Sequence, residues 1–600
     1  MRIAMRNRVF RAAALLAGVA VYVASASYAR AADLSPAASL HQILKDYDAF
    51  ESANDPIGAG ERGDLAAAAR WPDDTPAAEA QRHAANLAFQ ARLNAIPAAA
   101  LTGEDALNRE LLAYRLKLDI EGDAFDEDRI PFTNDEGFFV TPSYAAATTR
   151  LHSDAKAKAW LTRIATLPDY YAVEIANMRR GIATGFTSPK LTATTVVKAT
   201  RAQADLPADQ SPLLEPFDNL PPAMAPERDA LRAEALALIV AKVKPAERQL
   251  AAFAADEYLP HARDTLGAYA LPNGRAYYAY RVRRETTTDM TPDEIFALGQ
   301  SEIARIRKAM DVEIAATGFH GTFAEFQQKL RTDPQFYVTT REALMEKASR
   351  LAKRVDGQLP AFFGKLPRLS YGVFEVPRAI EEGYTSGRYD EGSPEQGIAG
   401  RLMINTSHLD QRPLYELPAL VSHEGAPGHH IQIALAQEQT DVPLFRKQDD
   451  ITAFVEGWAL YAEQLTKEMK LYDTPYDRFG LLSMEMWRAC RLVMDVGIHW
   501  KGWTRDQAVA CLKDNSALAD KNIQNETDRY IGWPGQALGY KIGQLKIQGL
   551  RDRAKAKLGA KFDYRWFHDA VLDEGPMPMS ILERRVDAWI DAQAAKPSAH

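Results

Sequence analysis

Apolar residues recur three and four apart over much of the chain, the spacing of helices that bury one face. Residues 35–120 form Ala- and Leu-rich amphipathic segments broken by Pro and Gly. Residues 227–257 continue the pattern, with Leu231, Leu236, Ile239 and Val240 at helical spacing. Thr291-Pro292-Asp293-Glu294 marks a helix start: an N-cap, a first-turn proline and a glutamate able to reach back to the cap. Thr339 with Glu342, and Thr504 with Gln507, repeat the capping pattern. The period changes between Leu369 and Ser407. There Tyr371–Val376 and Arg401–Thr406 read as short strands, separated by a Gly, Ser and Asp loop over residues 383–400. The pattern predicts a mainly α protein, a large helical body interrupted by a small antiparallel sheet. The Pro-rich stretch 205–226 reads as an exposed connection and a lobe boundary, dividing one catalytic unit (32–600) into 32–225 and 226–600.

Composition narrows the class. With 46% apolar and 25% charged residues the chain is globular rather than disordered. Its two cysteines, Cys490 and Cys511, exclude a disulfide-stapled scaffold. Arg2, Arg6, Arg8 and Arg11 precede an apolar run from Ala12 to Ala26, and Ala29-Arg30-Ala31 supplies a small-residue cleavage site. This is the three-part pattern of an export signal over residues 1–31. The run of about 15 residues is short for a membrane span of ~20. No cysteine follows it, so no lipid anchor through an N-terminal cysteine is expected. Removing residues 1–31, with five arginines and no acids, takes the formal charge from -8 to -13. That suits a periplasmic or secreted protein that binds neither nucleic acid nor, after signal cleavage, a membrane.

The chemistry concentrates at residues 423–430, His-Glu-Gly-Ala-Pro-Gly-His-His, which hold three of the chain's 12 histidines. Imidazole and carboxylate are zinc ligands, and a catalytic zinc keeps three protein ligands and one open position. In His-Glu-x-x-His the two histidines share a helix face and the glutamate is the general base. Here Pro427 occupies the position four after His423, and the next histidines are His429 and His430. An unbroken helix would carry position seven about 10 Å along its axis, too far for one metal. Pro427-Gly428 breaks the helix, so a bulge can return His429 or His430 over His423. Looping out two residues restores a four-residue offset and leans towards His429. Within Phe-Val-Glu-Gly-Trp-Ala-Leu-Tyr-Ala-Glu (454–463), Glu456 shares a helix face with Leu460. A carboxylate there needs a partner, and the 423–430 cluster is the best one. Glu463 reads as the weaker candidate, on the solvated side.

The segments HEGAPGHHIQ, FVEGWALYAE, RLVMDVGIHWKGWT and RYIGWPGQALGYKIGQLKI closely resemble the bacterial family catalogued as domain of unknown function 885. That family resembles helical zinc peptidases of the thermolysin and angiotensin-converting-enzyme type. The resemblance implies a helical body around a deep channel, a small sheet beside the zinc helix, and peptides as substrates. The extra two residues between the histidines depart from the peptidase motif.

Expected roles follow. His423, Glu456 and His429 or His430 hold one Zn²⁺ per chain, and Glu424 moves the proton of a water. Arg529, Tyr530, Gln536, Tyr540 and Lys541 surround a Pro534-Gly535 turn and are candidate oxyanion donors, with Tyr540 and Arg529 preferred. Arg491, Asp495 and His499 fall on one helix face four apart, a buried network with His499 as a further catalytic candidate. The expected activity is an exported zinc metallopeptidase. The alternatives are a metal-dependent hydrolase of another amide or ester, and a periplasmic binding protein with a degenerate site. Gly58-Ala59-Gly60-Glu61-Arg62-Gly63 matches a dinucleotide string but no strand precedes it. Gly383-Tyr384-Thr385-Ser386-Gly387 is not a nucleophile elbow, because its serine is misplaced.

Overall fold

The computed structural model describes residues 35–378, 381, 385–394, 397–448 and 451–596; the expected export signal over 1–31 lies outside them. Helix dominates, and no helix among the described residues is long and apolar enough to cross a membrane. Two compact units are present.

The first unit takes residues up to Asn54 together with Pro76–Ala124. It contains α1 (Pro36–Asn54), α2 (Pro76–Asn94) and α3 (Gly103–Gly122). Leu40, Ile43, Leu44 and Tyr47 on α1, and Leu107, Leu111, Leu112 and Leu116 on α3, are buried at helical spacing, as the sequence pattern requires. Tyr47 meets Phe89 of α2 edge to face, ring centroids 5.2 Å apart.

The second unit takes Asp55–Thr75 and Phe125 onward, so both sides of position 225 lie in it. The Pro-rich stretch 205–226 is not simply an exposed connection. It folds into short helical turns that bury Leu213, Leu214, Phe217 and Met224. Trp160, on α4 (Asp154–Thr184), donates from its indole to the Leu213 carbonyl at 3.0 Å. Val240 is exposed, because a π-helical turn over Ile239–Val243 shifts the face that the apolar spacing implied.

Capping boxes start α6 (Pro292–Ala316) at Thr291/Glu294 and the helix Arg505–Asn515 at Thr504/Gln507. The cap of α7 (Arg341–Asp356) is Thr340, not Thr339: its hydroxyl accepts from the Ala343 N–H at 3.2 Å. That one-residue shift puts Glu342 at the second helical position, where it does not reach back to the cap. Between α4 and α6 lies α5 (Gly274–Thr286).

The sheet has three strands, β1 (Tyr371–Glu375), β2 (Gly387–Asp390) and β3 (Gly400–Ile404), in the order β1-β3-β2. It is mixed rather than antiparallel. β1 runs parallel to β3 with Tyr371 opposite Gly400, and β2 runs antiparallel to β3 with Gly387 opposite Ile404. The stretch read as one loop contains β2, which turns the chain once more and lets β3 enter alongside β1. Leu402 and Ile404 face Leu344, Ala348, Leu417 and Val421, which seats the sheet against α7 and α8 (Leu417–Glu424).

The remaining helices that matter here are α9 (His429–Gln437), α10 (Thr452–Glu468), α11 (Pro475–His499), α12 (Asp520–Gly532) and α13 (Gln536–Leu558). A box formed by Thr474 and Asp477 starts α11, which is buried almost throughout. Gly299 of α6 admits it closely, since a Cβ there would lie 2.8 Å from Leu492 Cβ. Asp495 sits inside, accepting from Tyr278 OH at 2.6 Å and from the Gly535 N–H at 3.1 Å. Burial pushes its carboxyl up to about 7. The folded chain then keeps a proton that the unfolded chain releases near pH 4, so this contribution to stability fades as pH rises from about 4 to 7. At ~1.4 kcal/mol per unit it amounts to as much as ~4 kcal/mol. Asp495→Asn is expected to flatten the fall in melting temperature over that window, and an unchanged slope would refute the assignment.

Candidate metal centre

The helix bearing His423 stops at once. Gly425 and Gly428 adopt non-helical ψ angles of -143° and -125°, and α9 starts afresh at His429. Only glycine fits at 428, since a Cβ there would lie 2.0 Å from the His423 carbonyl oxygen. The Trp458 indole of α10 donates to the Pro427 carbonyl at 2.9 Å and pins the turn. Folding back by this break sets the His423 and His429 rings edge to face, centroids 4.8 Å apart.

Glu456 of α10 completes a triad. Its Oε2 lies 3.4 Å from His423 Nε2 and 3.5 Å from His429 Nε2. The three atoms fall within 4.8 Å of one another. Two ligands bound at ~2.1 Å to a tetrahedral zinc stand about 3.4 Å apart and at most ~4.2 Å, so both carboxylate–imidazole separations fit one ion, and the two imidazoles fit once they close to within that limit. Glu456 Oε2 is buried and has no hydrogen-bond partner. Burial would raise the Glu456 carboxyl, but the adjacent imidazoles of His429 and His423 hold it well below the usual carboxylate range. For His423, burial pulls the pKa down while the carboxylates of Glu456 and Glu463 outweigh it and raise it to about 9.

Glu463 is not solvated. It is 1% exposed, its Oε1 accepts from His423 Nδ1–H at 2.8 Å, and Arg488 of α11 pairs with it at 3.2 Å. This carboxylate fixes the His423 tautomer that turns Nε2 towards Glu456. Its signal was available: Glu463 lies seven positions after Glu456, two turns along one helix face.

His430 is not brought to the triad. Being adjacent to His429 on α9, it points about 100° away around the helix. Its ring lies 4.4 Å from that of Tyr371, and its Nδ1 is 3.0 Å from Tyr389 OH. Burial lowers its pKa to about 4, which leaves a neutral imidazole at pH 7. Glu424 sits at the end of α8 with Oε1 4.0 Å from His423 Nε2. Its Oε2 accepts from the Tyr389 N–H of β2 at 2.8 Å. No local pattern marks Tyr389, because the Gly, Ser and Asp composition of residues 383–400 predicts a loop where β2 forms.

The helices α10 and α13 cross almost backbone to backbone at Gly457 and Gly543, where a Cβ on Gly543 would lie 1.8 Å from the Ala453 carbonyl oxygen. This crossing brings Tyr540, one turn before Gly543, near Glu456. Burial raises the Tyr540 phenol, and the Glu456 charge raises it further. Arg529 donates to Tyr540 OH at 3.2 Å and to Gln536 Oε1 at 2.9 Å. Gly543→Ala gains ~1 kcal/mol of helix propensity but overpacks at ~1–3 kcal/mol or more. We expect a net loss of stability in denaturant titration; a stabilised variant would contradict this close crossing.

Other expected residues serve elsewhere. His499 accepts from the Ala268 N–H at 2.9 Å and donates to the Tyr530 carbonyl at 2.8 Å, so both ring nitrogens are committed to backbone. Burial lowers its pKa to about 3. It is a core histidine, not a member of the site. Arg491 pairs with Glu526 at 2.9 Å and lies 4.0 Å over the Tyr540 ring, so Arg491, Asp495 and His499 share a helix face without bonding one another. Tyr530 OH bonds Glu526 and Arg491. Lys541 is fully buried between Glu485 at 2.8 Å and Glu302 at 3.0 Å.

Comparison with known proteins gives a family and a fold. A family model described as "Bacterial protein of unknown function (DUF885)" matches residues 56–586. A solved structure described as "the putative lipoprotein from Colwellia psychrerythraea" superposes with a TM-score of 0.85 at 28% identity, covering 92% of this chain and 99% of that one. A second, "a putative lipoprotein of unknown function from Shewanella oneidensis", gives 0.68 at 18% identity over 92% and 99%. A "putative oligoendopeptidase F from Bacillus anthracis str. Ames" reaches 0.29 at 12% identity over 86% and 96%, too low to indicate a common fold. No curated protein matches the sequence.

Proposed function

The chain belongs to DUF885, a bacterial family of unknown function, and from the chemistry of its site we propose a zinc-dependent hydrolase that cleaves peptides. The observation that carries this reading is the buried, unbonded Glu456 Oε2 lying 3.4 and 3.5 Å from two imidazole Nε2 atoms. His423, His429 and Glu456 would hold the ion. A zinc ion bound there supplies a Lewis acid for a carbonyl oxygen and lowers the pKa of water towards neutrality. Glu424 takes the proton of the attacking water at Oε1, since Oε2 accepts from Tyr389, and passes it to the leaving amine. Tyr540 OH, with Arg529 behind it, donates to the carbonyl oxygen as that atom gains charge.

Peptide substrates are favoured by the sheet. β2 is an edge strand, and its Tyr389 N–H points away from β3 to Glu424. An extended chain laid along that edge would run past the general base. Export to the periplasm or beyond is supported by the leader at 1–31 and by the lipoprotein descriptions of the two structural neighbours. Both cysteines of this chain lie far downstream, at 490 and 511. The test is elemental mass spectrometry of the purified chain, followed by a peptide-library digest with and without chelator. We expect on the order of one zinc per chain and chelator-sensitive cleavage. Wild-type protein that neither carries zinc nor takes it up would sink the proposal and favour a binding protein.

A further inference from the structure

A second site lies far from residues 423–456 in sequence. A cavity of about 130 Å³ opens at the start of α4, walled in part by Glu61, Arg150, Lys156, Trp160 and Arg163. Arg163 is 2% exposed and lies between the Trp71 and Trp160 rings, 5.5 and 5.9 Å from their centroids. One amino group donates to the Pro56 and Ala67 carbonyls, each at 2.9 Å. Its buried Nε has no hydrogen-bond partner.

The charge around it is unbalanced. No carboxylate among the described residues forms an ion pair with Arg163. Glu61 and Asp55 attract it from a distance and Arg70 repels it. Glu61 is exposed at the cavity wall, and Asp55 is engaged with Arg62 at 3.6 Å and with the Gly58 N–H at 2.9 Å. Arg150 and Lys156 add two cations to the same wall. Burial lowers the Arg163 pKa to about 10, so it stays protonated at neutral pH. A buried cation without a paired anion is costly. The first turn of α4 adds the partial positive charge of a helix N-terminus, partly offset by Asp154, while Ser153 takes up the Lys156 N–H at 3.3 Å.

We propose that this cavity binds a small tetrahedral oxyanion, phosphate or sulfate, between Arg163, Lys156 and the α4 N-terminus. The size fits: the space is that of about four waters at ~30 Å³ each, below the ~300 Å³ at which sites for larger organic ligands begin. The Arg163 Nη1 group, which donates to neither carbonyl, supplies the unused donor, and Lys156 and Arg150 close the wall.

The test is isothermal titration of the full chain with sodium phosphate, and separately with sodium sulfate, against chloride at equal ionic strength. Saturable one-site binding is expected for at least one of the two anions. It should weaken tenfold or more in Arg163→Gln and in the Arg150→Ala/Lys156→Ala pair. The surface pair decides the matter if Arg163→Gln does not fold, because Arg163 also ties two carbonyls. Heat of binding, unlike melting temperature, separates a site from the general salting effect of these anions. Absence of saturable binding in the wild type, or equal affinity in the surface pair, overturns the proposal. Neither result bears on the metal centre, whose zinc content is read separately.

Discussion

Glu424→Gln is expected to lower peptide hydrolysis by about 10²–10⁴-fold, the contribution of a positioned general base, while zinc content and melting temperature stay at wild-type values. Glutamine has the shape of glutamate and can still accept from the Tyr389 N–H, which holds Oε2 at 2.8 Å. It cannot take a proton from water. Glu424 is not among the three residues whose ligand atoms converge, so the metal should remain. Turnover on a peptide found by the library digest, measured beside metal content, separates the two effects. Full turnover in the variant would remove Glu424 from the mechanism. Loss of metal along with activity would make it a ligand instead.

Glu463→Gln is expected to weaken zinc binding by about 10–100-fold, the usual cost of losing a carboxylate behind a ligand histidine. His423→Ala, which deletes a ligand, is expected to abolish binding. Glu463 accepts from His423 Nδ1–H at 2.8 Å and receives Arg488 at 3.2 Å. Glutamine keeps an acceptor for the imidazole but removes the carboxylate that Arg488 pairs with, leaving only the longer-range attraction of Glu416. Breaking such a buried pair costs ~3–5 kcal/mol, so the variant should also melt earlier. Competition with a chelator on the folded variant reads affinity apart from stability. Equal affinity in Glu463→Gln and wild type would show that His423 does not depend on this carboxylate for its orientation.

The candidate site was legible in part, and the reasons differ by residue. The density of histidine at 423–430 marked the place, because chemistry leaves its residue types in the sequence. Glu456 stood out as a carboxylate on an apolar helix face, which is anomalous without a partner. Glu463 has the same helical phase, yet the sequence leaves it on the solvated side, because periodicity shows which face a residue occupies and not what covers that face. Covering it are His423 and Arg488, from helices 40 positions before and 25 after it. The choice between His429 and His430 depended on the backbone path through Gly425–Gly428, where two non-helical ψ angles replace the regular turn. His499 misled for the same reason: a histidine at helical spacing with charged neighbours has the same appearance whether it faces a cleft or two backbone groups.

By itself the sequence determined the mainly helical fold, the helix starts at Thr291 and Thr504, two of the three strands, and the region where histidines and carboxylates gather. These follow from interactions within a few residues: caps, periodicity and glycine or proline breaks. Tertiary structure decided the rest. It added β2, a four-residue strand that exists because β3 and Glu424 take up its backbone groups. It made the sheet mixed, buried the Pro-rich turn at 205–226, and turned His430 away from the triad. Above all it set the distance from Glu456 to Tyr540, through a contact between Gly457 and Gly543 that no local pattern encodes. Separations of that kind depend on how closely two helices approach, and the approach is fixed by the absence of two side chains 86 positions apart.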